Sequence, residues 1–162
     1  MLRRRVILFL VFLSALAGNV RADSASNAIT GKVVKVLSLL MDTNSQVAPS
    51  PSLFDRDAYQ VYLLEHTNEV TGVRFDVCWA AHHARGMTLK LRVELKGVRR
   101  NGLPTQTTLE QTVTPGLFHH WTSLTLSGAD YKNFGTVAAW RATLWNSNQL
   151  IGEQQSFLWS PP

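Results

Sequence analysis

Cysteine is nearly absent: Cys78 stands alone among 162 residues, so no disulfide can close within the chain. A stretch long enough to cross a bilayer is absent too. The longest apolar run, "VILFLVFLSAL" over residues 6–16, has eleven residues where a spanning helix needs about 20. The signatures of nucleophile elbows, P-loops and dinucleotide sites are missing. So are H-x-H, H-E-x-x-H and paired-cysteine spacings. These absences remove the commonest hydrolase, nucleotide-binding and zinc-site readings. Carboxylate pairs assembled from distant strands leave no local motif. At this length, with no cleft foreseen, the chain is nevertheless expected not to be an enzyme.

A surplus of one charge is also lacking once the N-terminus is set apart. Arg3, Arg4 and Arg5 precede the apolar run, and small-residue sites follow it, "ALA" at 15–17 and "VRA" at 20–22. A charged start, a short apolar middle and an A-x-A-like site describe a secretory signal peptide, expected over residues 1–22. The whole chain has 16 Lys+Arg against 11 Asp+Glu, but four of those arginines and no acid lie in the leader, which leaves 12 against 11. A nearly neutral mature chain has little electrostatic drive toward phosphate backbones, so nucleic acid is not an expected partner. The remaining length, about 140 residues, suits one domain with a core that needs no staple. Export without disulfides points to a bacterial periplasm or exterior, with no stable membrane insertion after cleavage.

What is present in abundance is alternation. In "TLKLRVELKGV", Leu89, Leu91, Val93 and Leu95 face one way and Lys90, Arg92, Glu94 and Lys96 the other. "GVRFDVCWA" repeats the pattern with Val73, Phe75, Val77 and Trp79, leaving Cys78 opposite as a small buried or half-buried residue. Period two marks strands with one face on a core. "AHHARG" between them reads as a hairpin loop, "TQTTLEQTV" as a Thr-rich strand, and "WTSLTLSG" as a strand with Leu124 and Leu126 inward. "ADYKNFG" reads as a connector, and no helical spacing stands out in residues 70–159. The last two strands are joined by the polar turn "NSNQ".

Nearer the start, "GKVVKVLSLLM" reads as a strand and "TNSQVAPSPS" as a loop. "LFDRDAYQVYLL" opens like a capped helix, yet Tyr59, Val61 and Leu63 alternate, and its second half is expected to be a strand. The domain layout is then a leader over 1–22, an N-terminal strand with its Pro/Ser-rich loop over 23–57, and the remaining strands over 58–162. Seven or eight strands of this kind predict an all-β fold, a single antiparallel β-sandwich of immunoglobulin-like pattern, with a small closed β-barrel as the alternative. The Cys…Trp…Cys framework is absent, so no family function follows from the pattern.

Candidate sites come from what is left over. Parity buries Trp140 with Ala142 and Leu144 and turns Arg141, Thr143 and Trp145 outward, while Phe157 is expected in the core and Trp159 is unassigned. Parity also turns Trp121 outward. Trp121 and Trp145, with Arg141, are therefore the candidate ligand-binding residues, a stacking surface for a sugar ring. The pairs His82–His83 and His119–His120 are the candidate metal ligands. Antiparallel strands would gather their loops at one end of a sandwich, joined there by Asp42, Asp55 and Asp57 if residues 58–64 were a strand. Adjacent residues on a strand point to opposite faces, however, so no metal and no cofactor is expected. The stripe Lys90, Arg92, Lys96, Arg99 and Arg100 reads as a solvated edge. The function expected is that of an exported non-catalytic interaction module for a protein or polysaccharide partner, with carbohydrate binding through the tryptophans as the alternative.

Overall fold

Leu89, Leu91, Val93 and Leu95 are at most 1% exposed, and the charged residues between them turn to the other face. They open β3 (Leu89–Val98), the strand around which one sheet is built. A computed structural model describes residues 28–159 of the chain. The other elements are β1 (Thr30–Met41), α1 (Leu53–Glu65), β2 (Gly72–His82), β4 (Pro104–Val113), β5 (His120–Ser127), α2 (Gly128–Phe134), β6 (Thr136–Asn146) and β7 (Gln149–Gln155). The leader expected over residues 1–22 lies outside the described residues.

Two antiparallel sheets result, one in the order β1-β2-β5 and the other β4-β3-β6-β7. This is the sandwich expected from the alternation, with seven strands among the described residues and no closed barrel. Constant-type immunoglobulin domains pair their fourth strand with the fifth; here the fourth lies beside the third. β2 and β3 fall in different sheets, so the segment read as a hairpin loop over 81–86 is an arch that carries the chain from one sheet to the other. The "NSNQ" turn does join a true hairpin, β6 to β7.

The core lies between the sheets. Val73, Phe75, Val77 and Trp79 from β2, with Leu124 and Leu126 from β5, pack on Leu91, Val93, Leu95, Ala142 and Leu144. Each large side chain so buried contributes about 1.5–3 kcal/mol. The Trp79 indole keeps its polar end satisfied by donating to Thr122 Oγ1 at 2.9 Å. Trp140 faces the core as expected, though half-buried at its margin. Cys78 is buried on the outer face, paired with Lys35 and Trp121.

Three local expectations give way. Residues 53–65 are helix throughout, so the expected strand at 58–64 does not form and the expected division at 57/58 falls inside α1. Ser52 starts the helix by accepting the Asp55 N–H at 3.4 Å, and the apparent alternation misled because α1 buries Leu63 alone. Residues 128–134, read as a connector, form α2, which sets Phe134 into the core. Phe157 is 91% exposed rather than buried. β7 ends at Gln155, and Ser156 binds both the N–H and the C=O of Trp140. The following turn, closed from Trp159 N–H to Ser156 C=O, throws Phe157 outward and brings Trp159 down to 7% exposure.

One edge of the sandwich is nearly shut. Gly152 lies so close to β1 that a Cβ there would stand 2.9 Å from the backbone of Lys32, and a bulge places Ile151 as the extra residue of β7. Beyond this contact the sheets part, and β1 is left with an open edge from Val36 to Leu40.

Candidate functional site

The backbone of β1 decides what that edge offers. Leu40 turns its N–H and C=O away from β2 and toward the side chain of Gln60 on α1. The amide accepts from Leu40 N at 2.7 Å, donates to Leu40 O at 3.0 Å, and donates also to Val47 O at 2.9 Å. Gln60 thus pairs with Leu40 as a residue of a neighbouring strand would. In an antiparallel ladder such outward groups recur at every second residue. Ser38 and Val36 therefore present their own N–H and C=O along the same line, and nothing among the described residues pairs with them.

A groove of about 560 Å³ runs along this edge. Val36–Leu40 form its floor, Gln60 and Leu64 of α1 one wall, and Tyr131, Thr136 and Val137 the other. Its one carboxylate, Asp57, is paired with Arg56 at 2.7 Å, so the rim is neutral. Leu64 continues onto the free face of α1 through Val61 and Phe54, which are 55% and 81% exposed. Helical spacing places these three on one apolar stripe. Burial pushes the Tyr131 hydroxyl pKa above its ordinary value.

The near wall is pinned to β1 by a polar knot. Asp42, 6% exposed, accepts the N–H groups of Asn44 and Gln46 at 2.8 Å and the Tyr59 hydroxyl at 2.8 Å. Burial pushes its carboxyl pKa up, but those donors outweigh burial and hold it below the usual range. The same hydrogen bond raises Tyr59. Ser50 Oγ donates to Asp55 at 2.5 Å and ties the loop to the first helical turn.

The residues singled out in the sequence lie elsewhere. Trp121 is outward on β5 and 55% exposed, whereas Trp145 is outward on β6. They stand on different sheets, so they cannot form one stacking platform. Trp145 is half-buried, its Nε1 donating to Thr143 Oγ1 and the Arg92 guanidinium 5.6 Å above its ring. Arg141 is engaged by Glu94 at 2.7 Å and lies 5.1 Å from the Trp159 ring, on which Lys96 also sits at 4.3 Å. The stripe expected to be a solvated edge lies on β3, a central strand between β4 and β6, and its first two members are paired: Glu110 binds Lys90 at 3.2 Å and Arg92 at 2.6 Å, and the Lys90 ammonium leads in lowering the Glu110 pKa.

The histidine loops do share one end, shown by the pairs Thr30↔His82 and Trp79↔His120. His82, His83 and His119 are exposed there, while His120 packs against the Trp79 ring at 5.2 Å and accepts the Gly116 N–H. Asp42, Asp55 and Asp57 do not join them. Because residues 58–64 are helix, the loop after β1 lies at the opposite end, where Met41 pairs with Gly72. Among the described residues no group of three His, Cys, Asp or Glu converges on a point where a metal would bind. No helix there is long and apolar enough to cross a membrane.

Gln60 and Ser38 were not legible as site residues. The one trace in the sequence is a glutamine set inside the apolar run "AYQVYLL", where a buried amide needs backbone partners.

No family model and no curated protein matches the chain. A solved crystal structure from Akkermansia muciniphila is similar in fold, with a TM-score of 0.51 over 80% of this chain and 70% of that one at 9% sequence identity. At that identity the likeness speaks for the fold alone.

Proposed function

We propose that the protein is an exported, non-catalytic interaction module that takes an extended segment of a partner protein along the open edge of β1. The observation that carries this reading is the Gln60 amide, which already reads the Leu40 backbone as a strand would and leaves the next two positions open. Strand addition supplies affinity through main-chain hydrogen bonds, and side-chain pockets supply selectivity. Walls from α1 and from α2–β6 flank the edge on both sides, which favours a single extended chain as the occupant. The neutral, mostly apolar lining favours an uncharged segment with alternate apolar residues. The tryptophan reading is weaker, since only Trp121 presents an open ring.

Peptides selected from a random library against the purified mature protein test the proposal. Ser38→Pro removes the edge N–H while leaving the hydrogen bonds to β2, because proline is tolerated on an edge whose N–H faces out. Selected peptides should lose at least about tenfold in affinity for Ser38→Pro, which corresponds to one or two main-chain hydrogen bonds. Binding to Ser38→Ala should be unchanged. Equal binding to the proline variant, or a library that yields no binder, rejects strand addition.

A further inference from the structure

We propose that the end of the sandwich opposite α1 docks onto the surface of an anionic lipid bilayer. Strand pairing gathers the arch 83–88, the loop 114–119, the turn 147–148 and the start of β1 at this end. At the tip of loop 114–119 stand Leu117 and Phe118, 76% and 80% exposed, with Trp121 and Met87 nearby in the fold at 55% and 41%.

This tip is held out by construction. Pro115 is buried, and the Gly116 N–H donates to His120 Nε2 at 2.8 Å, while His120 leans on the buried Trp79 ring. Anchored on both sides, the loop holds its two apolar residues off the core. Adjacent leucine and phenylalanine held in water are costly unless something apolar receives them.

Charge complementarity names the receiver. No Asp or Glu occurs in residues 28–35, 77–93, 111–122 or 142–152, the segments that build this end. Lys32, Lys35 and Arg85 belong to these segments and make no ion pair among the described residues. Unpaired cations on the segments that build this end, together with its apolar tip, match a bilayer that offers anionic headgroups outside and hydrocarbon beneath. A polysaccharide would match the cations and leave Leu117 and Phe118 in water. The contact is peripheral: loops dip into the interface and no segment spans it.

Co-sedimentation of the mature protein with vesicles tests this. The protein should pellet with phosphatidylcholine vesicles containing phosphatidylglycerol, and raised salt should weaken the binding. The double variant Leu117→Ser/Phe118→Ser should lose at least about tenfold in partitioning. Arg85→Glu, with the apolar tip intact, should also weaken binding, which keeps the proposal testable if the double variant does not fold. Ser38→Pro should bind vesicles normally, because the groove lies elsewhere. The proposal fails if the protein stays in solution with anionic vesicles. It fails equally if pure phosphatidylcholine binds as well, if both loop and charge variants bind like the parent, or if only a soluble acidic polysaccharide is bound.

Discussion

At the scale of single residues, polar side chains do the positioning that apolar ones do in the core. Gln60 and Asp42 between them accept or donate six hydrogen bonds that fix α1 and its loop against β1. Asp42 makes this fastening sensitive to acid. Its folded pKa is depressed, so its contribution is complete above the unfolded value, about 3.9, and is lost as pH falls through the folded value. Asp42→Asn should therefore be less stable than the parent at neutral pH, and the difference should shrink below about pH 4. Denaturant titrations at several pH values measure it. A constant difference across that range would show that Asp42 acts by shape and not by charge.

At the scale of elements, α1 is held by one buried apolar side chain and a few polar bonds, and the sequence hid it as it hid α2. Leu63 is its one buried residue, with no exposure at all. Leu63→Ala should cost about 2–5 kcal/mol, and the loss should appear first as mobility of residues 53–65, seen by amide hydrogen exchange. Exchange unchanged in α1 would mean that Gln60 and Tyr59 suffice to hold it. The strands were easier to read because a sheet with one buried face writes its parity into every second residue, as in Leu89–Leu91–Val93–Leu95. A helix that buries a single leucine and turns Phe54, Val61 and Leu64 to solvent leaves no such record, and its Tyr59–Val61–Leu63 spacing imitates a strand. Phe157 was misplaced for a related reason: parity holds only within a strand, and β7 stops at Gln155 where Ser156 turns the chain. The groove was invisible for a third reason. It is made by backbone groups of Val36 and Ser38, and backbone is the same at every position of a sequence.

At the scale of the whole molecule, the 12 Lys+Arg and 10 Asp+Glu of the described residues are unevenly placed. Asp42, Asp55, Asp57, Glu65, Glu69 and Asp130 belong to the α1–α2 end, where Arg56, Arg99, Arg100 and Lys132 accompany them, and the end that carries Leu117 and Phe118 is built from segments without an acid. A protein lying on a lipid surface by one end would hold the β1 groove toward the side and the far end, open to a partner. That arrangement requires the sandwich to behave as one rigid body, and the core says that it does. Neither sheet buries its apolar face alone, since Phe75, Val77 and Trp79 of one share a single core with Leu91, Val93, Leu95 and Leu144 of the other. With no disulfide to hold a fragment together, loss of that contact removes both sheets at once. Cys78 supplies an internal reporter, buried on β2 next to Trp79 but on the outer face. In a urea titration, thiol labelling of Cys78, the near-ultraviolet signal of the tryptophans and the far-ultraviolet strand signal should share one midpoint. Thiol reactivity that rises well before the other two would mean that β2 opens toward solvent while the core persists, and the molecule would then be two loosely joined sheets in place of one body.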